Sequence, residues 1–235
     1  MIRLRNVTKT YNKNFTVLHR INLHISKDEF VFLVGPTGAG KTTLMKLIMR
    51  DEIPDSGSVY IDKVNTRDFN ENQISKLRKN IGVIFQDFKI LNRTVYENLA
   101  FVLKIQGEKK KVIKEKIEDV ISMVGLEKKL YFLSHQLSGG EKQKASLARA
   151  IINKPHILLA DEPTGNLDPE ASMEIMNILT RINQQNTTVI MATHDKSIVD
   201  VMRKRVIGLH GGNIIRDQQL GKYHSETVIS KVRLE

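Results

Sequence analysis

The sequence predicts an α/β fold with a mainly parallel core sheet, an N-terminal antiparallel β section and an inserted α-helical subdomain. Three observations carry that expectation. The runs Val31–Val34, Ile81–Phe85, Ile157–Ala160 and Thr188–Ala192 are apolar almost throughout, as strands covered on both faces must be. The first of them leads straight into a glycine-rich loop and then a helical pattern, Thr42–Ile48. Between Thr94 and Ala150 the texture changes, and Ile113, Ile117, Val120, Ile121 and Val124 recur at helical spacing.

Taken in order, Leu4–Val7, Thr16–Leu18, Ile21–Ile25 and Phe30–Val34 alternate with turns, which suggests an antiparallel section feeding the glycine loop. Asp55-Ser56-Gly57 is a turn before a strand over Ser58–Ile61, and the strand Ile81–Phe85 ends at Gln86. Residues 87–154 form the helical insertion, with Lys109–Lys111 and Lys114 on its solvated face. Strands return at Ile157–Ala160, Thr188–Ala192 and Val206–Leu209, and His210-Gly211-Gly212-Asn213 is a hairpin turn into Ile214-Ile215. The expected organisation is one domain over residues 1–221, with its core in 1–86 and 155–221, followed by a polar, basic tail over 222–235.

Composition bounds the function. With 235 residues, 40% of them hydrophobic, the chain can bury a full core. It has no cysteine, so disulfides, cysteine–zinc sites and thiol catalysis are excluded. No stretch approaches the roughly eighteen apolar residues of a membrane span, and no signal-peptide core is visible. The chain is therefore expected to stay in the cytosol and to reach any membrane through a partner. A net charge of +11 leaves a solvated surface, an anionic membrane leaflet and nucleic acid as readings. The lysines are dispersed over Lys109–Lys111, Lys128-Lys129 and Arg203–Arg205 without interleaved aromatics, so no nucleic acid partner is expected.

Gly35-Pro36-Thr37-Gly38-Ala39-Gly40-Lys41-Thr42 fits G-x-x-x-x-G-K-[ST], the phosphate-loop pattern. Glycines let consecutive N–H groups turn inward as an anion nest, and the helix N-terminus adds positive potential. Lys41 supplies charge for the β- and γ-phosphates, and the Thr42 hydroxyl suits Mg²⁺. A chance Gly-rich turn is the alternative, and the strand–loop–helix context opposes it. Asp161-Glu162 closes an apolar strand at the sheet edge where ligands collect. Adjacent strand residues point to opposite sides, so Asp161 is expected to hold Mg²⁺ through water and Glu162 to orient or deprotonate the attacking water. The plainer alternative is a solvated acidic turn before Pro163.

The phosphate loop, then Leu137-Ser138-Gly139-Gly140-Glu141, then an apolar strand ending in Asp-Glu, resembles the ATPase subunit of ATP-binding-cassette (ABC) transporters from Ile2 to about Gly221. The resemblance implies a phosphate-loop NTPase core, ATP and Mg²⁺ as cofactors, and ATP hydrolysis. It implies that residues Gly35 to Thr43, including Thr43 itself, hold the phosphates, and that Tyr11 stacks on adenine, a plain surface side chain being the alternative. Gln86 matches the glutamine that reaches Mg²⁺ and the attacking water and senses the membrane partner. His194 matches the histidine that contacts the γ-phosphate, and Asn166-Leu167-Asp168 the loop that crosses between subunits. Ser138, Gly139, Gly140 and Glu141 would complete the ATP site of a second copy, giving an ATP-dependent homodimer. Glu141 departs from the family, which often has Gln there, and an extra carboxylate near ATP bears on the hydrolysis rate.

The segment from Phe85 to Ala100, with Gln86-Asp87-Phe88-Lys89 at its start, is similar to the FtsE-type ATPases of bacterial cell division, as are Gly35–Lys41, Leu159–Pro169, Met191–Asp195 and Arg205–Ile207. That likeness implies an FtsX-like integral membrane subunit as partner, a peripheral position on the cytoplasmic face of the membrane, and control of peptidoglycan hydrolases. Phe88, Ile90, Leu91 and Tyr96 are expected to line the partner's groove. Asp161-Glu162-Pro163-Thr164-Gly165-Asn166-Leu167-Asp168 is shared with lipoprotein-release and macrolide or peptide export ATPases, so a conventional transporter subunit stays open. A soluble ABC protein of translation or DNA repair would normally carry two cassettes or a long coiled coil, and this chain has neither.

Overall fold

The computed structural model describes residues 1–12 and 14–223. In chain order the elements are β1 (Ile2–Tyr11), β2 (Phe15–Ile25), β3 (Phe30–Val34), α1 (Lys41–Ile48), β4 (Ser56–Ile61), β5 (Val64–Asn65) and α2 (Glu71–Lys79). There follow β6 (Ile81–Ile84), α3 (Val95–Ile105), α4 (Lys110–Val124), α5 (Gly139–Ile151), β7 (Ile157–Asp161) and α6 (Pro169–Gln184). The chain closes with β8 (Thr188–Ala192), α7 (Lys196–Met202), β9 (Arg205–His210) and β10 (Asn213–Gln218). It divides into two compact units, Met1–Arg78 with the chain from Thr188 onward, and Lys79–Thr187. Of the tail over 222–235, all but Lys222 and Tyr223 lies outside the described residues.

The first unit holds the antiparallel section, ordered β2-β1-β4-β5. Ile2, Leu4 and Val7 of β1 are buried against Ile25, Leu23 and Ile21 of β2. The two runs Thr16–Leu18 and Ile21–Ile25, expected as separate strands, belong to the single strand β2. Register shifts along the β1–β2 ladder, with Asn6 and Arg20 at positive φ, keep the apolar residues on one face despite broken alternation. β3 is a correction to the expected grouping. It runs parallel to both β8 and β9, pairing Leu33 with Ala192 and with Ile207, and all five of its residues are buried. Burial on both faces is what its unbroken apolar run requires, at about 1.5–3 kcal/mol for each large side chain removed from water. The expected hairpin joins β9 to β10, with Gly211 and Gly212 at φ 49° and 73°, the signs a two-residue turn of this hand needs.

The second unit pairs β6 with β7 in parallel, Ile81 opposite Ile157 and Ile84 opposite Ala160. Four helices accompany the pair. α4 buries the expected stripe Ile113, Ile117, Val120, Ile121 and Val124 while Lys110, Lys111 and Lys114 stay exposed, and Gly125 ends it in the left-handed conformation. Thr94 and Glu97 form a capping box that starts α3. Residues 87–94, expected within the helical stretch, form an irregular segment before α3, and Phe85, expected in the strand, already lies outside β6. Among the described residues no helix is long and apolar enough to cross a membrane.

Candidate nucleotide site

In the first unit the glycine loop leaves the C-terminal end of β3. Gly35 has φ 147°, and a Cβ there would stand 2.1 Å from the backbone oxygen of Leu209, so the position admits only glycine. The loop then turns with the Ala39 N–H donating to the Pro36 oxygen at 3.2 Å, and Gly40 starts α1 from the left-handed region at φ 104°. No side chain caps α1 and its first turn carries no acid, so its leading N–H groups are left for an anion. The crest, Pro36, Thr37 and Gly38, is exposed, and nothing lies within 4 Å of the place a Gly38 Cβ would take. Lys41 is buried, with Nζ donating to the oxygens of Gly35 at 2.7 Å and Pro36 at 3.1 Å. Thr42 is exposed at the start of α1, and Thr43 is buried behind it. This loop fits a polyphosphate: the start of α1 is uncapped, its first turn carries no acid, Lys41 stands beside it, and the space at Gly38 is open.

His194 emerges at the same strand edge. β8 lies beside β3, and the Thr193 N–H donates to the Leu33 oxygen at 3.1 Å, which fixes the exit of the chain just before His194. Asp195 then caps α7, accepting from the N–H groups of Ser197 at 2.9 Å and Ile198 at 3.2 Å. Between these anchors the His194 side chain is exposed.

Tyr11 ends β1, and its ring is held by residues that the motif reading missed. Lys9 is buried in the strand, its Nζ 2.7 Å from Glu52, 3.0 Å from the Ile53 oxygen and 5.2 Å from the Tyr11 ring centroid. The Lys9 hydrogen bond, and then its charge and a bond from Tyr11, hold the Glu52 carboxyl below its usual range. Burial works against the Lys9 ammonium, but the bond and charge of Glu52 outweigh it and raise the Lys9 pKa. The sequence carries only part of this signal: Lys9 keeps two-residue phase with Val7, but the irregularity at Asn6 puts both out of phase with Ile2 and Leu4.

In the second unit the β6–β7 register brings Gln86 and Asp161-Glu162 out at one end of the pair. Asp161 is the last residue of β7, but Glu162 has left the strand with φ 49°. The two carboxylates are therefore separated by a backbone reversal of hand rather than by strand alternation, a strained conformation of the kind found at working sites. The next turns are well tied. The Gly165 N–H donates to the Glu162 oxygen at 3.1 Å, Leu167 N–H to Thr164 oxygen at 3.1 Å, and Asn166 Nδ2 to the Gln86 oxygen at 3.4 Å. Asp168 caps α6, accepting from the Ala171 N–H at 2.9 Å.

Ser138 is the N-cap of α5, with Gly139 and Gly140 as the first helical residues. Its Oγ accepts from the Glu141 N–H at 3.2 Å, and Glu141 accepts from the Ser138 N–H at 2.8 Å, a reciprocal capping box. That Ser138 backbone bond is the main reason the Glu141 carboxyl sits below its ordinary value, with Lys129 at 3.5 Å adding to it. The unusual acid is thus engaged at its own helix start, where a carboxylate suits the helix dipole.

The expected apolar groove needs a correction. Of Phe88, Ile90, Leu91 and Tyr96, only Leu91 is exposed; the others are half-buried, and Tyr96 stacks on Tyr131 at 5.8 Å between centroids. Besides Leu91, the exposed large apolar side chains of this unit include Phe85, Phe101, Ile105, Tyr131 and Phe132. Phe101 and Ile105 are four apart on α3, so they share one helix face.

Comparison with known proteins agrees with the motif order. The ABC transporter family model matches residues 18–165. The chain belongs to the ABC transporter family. This cassette is 46% identical over 226 residues to the cell division ATP-binding protein FtsE of Bacillus subtilis, covering 96% of the chain and 99% of that protein. It is 48% identical over 225 residues to FtsE of Mycobacterium tuberculosis, at 95% and 98% coverage. Against the methionine import ATP-binding protein MetN 2 of Bacillus cereus the identity is 37%, covering 94% of the chain and 66% of that protein. Among solved structures, a dimeric post-hydrolysis ATP-binding cassette bound to ADP and Pi superposes with TM-score 0.85 at 34% identity, covering 94% of this chain and 99% of that one. The cassette is therefore an ATP-binding, ATP-hydrolysing protein of the FtsE group.

Proposed function

We propose that this cassette is the ATPase subunit of an FtsE/FtsX-type complex, which dimerises on ATP and drives a membrane subunit that regulates peptidoglycan hydrolysis in cell division. The observation that carries the reading is the near full-length likeness to FtsE proteins, against a partial and weaker likeness to an importer subunit. Lys41 and the loop N–H groups take the β- and γ-phosphates, replacing the Lys41 contacts to Gly35 and Pro36. Tyr11, positioned by Lys9 and Glu52, offers its ring to adenine. Thr42, Gln86 and Asp161 are the oxygen ligands this chain offers Mg²⁺, with phosphate and water filling the rest of its shell. When bound, Mg²⁺ neutralises phosphate charge as it develops. Glu162 accepts the proton of the attacking water, and His194 donates toward the γ-phosphate. Ser138 and the N–H groups at Gly139 and Gly140 face the nucleotide of a second copy, with Asp168 in the crossing loop. A one-domain ATPase over 1–221 contains every one of these residues.

The membrane partner would meet the exposed apolar side chains around Phe85, Leu91, Phe101 and Ile105, which supplies the peripheral membrane location. The test is native co-purification from membranes together with depletion of the gene. An FtsX-like subunit in the complex and chained or misshapen cells support the proposal. Loss of uptake or export of one solute with division unaffected replaces it with the conventional-transporter reading.

A further inference from the structure

The irregular segment between β6 and α3 is fastened by side chains from several elements, and one of them has no role in the nucleotide chemistry. At its far end, Asn98 of α3 is buried, accepts from the Leu91 N–H at 2.9 Å and donates to the oxygens of Leu91 at 3.1 Å and Thr94 at 2.9 Å. At its near end, Arg149 from the last turn of α5 donates to the Lys89 oxygen at 2.6 Å and the Phe88 oxygen at 3.3 Å. Arg149 makes no ion pair with a carboxylate among the described residues, and burial pulls its pKa down. A half-buried cation whose partners are backbone oxygens is costly to leave without those bonds.

The backbone it holds is itself unfavourable. Phe88 and Lys89 both have positive φ, 59° and 49°, which non-glycine residues rarely adopt in succession. Two residues of like hand aim successive carbonyls the same way, and the forked guanidinium meets both at once; a lysine ammonium lacks that fork. The other ties of Phe88 and Lys89 themselves are local, Phe88 N–H to Phe85 oxygen at 3.3 Å, Lys89 N–H to Asp87 oxygen at 2.6 Å and the Asp87–Lys89 ion pair at 2.7 Å. α5 is the helix that begins at Ser138 and Gly139, so one rigid rod carries the signature residues at its start and Arg149 near its end.

We infer that Arg149 is a positioning residue that locks the Phe88–Lys89 turn to α5, so that a movement of the signature helix is delivered to the loop bearing Gln86 and Leu91. The coupling role rests on the proposed function of that loop as partner contact; the lock itself does not.

Amide hydrogen exchange on the full-length subunit, comparing wild type with Arg149→Ala and Arg149→Lys, tests the lock. Arg149→Ala is expected to speed exchange at Phe88 and Lys89 by roughly tenfold, with Arg149→Lys between, while Ile81–Ile84 of β6 stays as in wild type. ATPase assays of the subunit co-reconstituted with its membrane subunit test the coupling. Arg149→Ala should keep the unstimulated rate within about twofold and lose the stimulation by the membrane subunit. Unchanged exchange at Phe88 and Lys89, or faster exchange in β6 to the same degree, overturns the inference, the latter by reducing Arg149 to general stability. Stimulation that survives in Arg149→Ala overturns the coupling. If the wild type is itself unstimulated by the membrane subunit, the functional proposal fails, and the exchange result still decides the lock.

Discussion

Replacing Lys41 with Ala tests how the phosphate loop uses a single charge for its own carbonyls and for nucleotide. In the free protein the ammonium is committed to two carbonyls, at 2.7 Å and 3.1 Å, inside a buried position. A hydrogen bond from a charged donor contributes about 1.5–3 kcal/mol. ATP binding exchanges those carbonyl bonds for phosphate contacts, so the net loss in Lys41→Ala lies near the lower end, about 1.5 kcal/mol, or about tenfold in Kd. The free variant should also melt earlier, by about 1–2 kcal/mol, because two loop carbonyls lose their donor. Turnover should fall further than affinity, since charge grows on the transferred phosphoryl group. Titration with a non-hydrolysable ATP analogue, a denaturant melt and a phosphate-release assay measure the three effects. A folded Lys41→Ala protein with wild-type affinity and turnover would refute the phosphate-loop assignment.

Three further outcomes are expected. Glu141→Gln keeps the capping geometry but loses its charge at the helix start, which should cost about 0.3–1 kcal/mol at neutral pH and leave ATP turnover unchanged. Because the folded carboxyl titrates below its ordinary value of 4.5, that contribution is present above this pH and lost as pH falls through the folded value. Denaturant melts of both proteins should converge in acid, and a several-fold rise in turnover would show that the carboxylate restrains hydrolysis. Gly35→Ala forces a Cβ against the Leu209 oxygen, and a thermal melt should report a loss of about 3 kcal/mol or more; a wild-type melt would contradict the loop geometry. Ile105→Asp, on a side chain 70% exposed, should leave stability and ATP affinity untouched while abolishing co-purification of the membrane subunit; retained co-purification removes this face of α3 from the docking surface.

The parallel strands were legible because burial on both faces leaves an unbroken apolar run, and the motifs mark where those strands end. α4 was legible through its stripe. α2 was not, because it buries only Leu77 and, apart from a half-buried Ile74, its remaining residues are polar. β3 carried two signals: its unbroken apolar run marks a parallel strand, as found, whereas its neighbours in sequence are antiparallel strands and grouped it with them, its partners β8 and β9 coming from the far end of the chain. The groove was misread for a related reason. Phe88 and Tyr96 are large and apolar, but their exposure depends on an irregular backbone held by Arg149 and Asn98, and no periodic pattern encodes that. Glu141 was seen as an oddity near the nucleotide; the Ser138–Glu141 spacing already matched a capping box.

The central claim is that Glu162 drives hydrolysis of an ATP that two copies of this chain enclose. Glu162→Gln keeps the side-chain shape and removes the base, so ATP should still bind while turnover stops. Size-exclusion chromatography with light scattering in Mg-ATP measures the consequence directly. The account predicts a stable dimer for Glu162→Gln in Mg-ATP and mainly monomer for wild type without nucleotide. A variant that hydrolyses ATP at the wild-type rate and stays monomeric would contradict it.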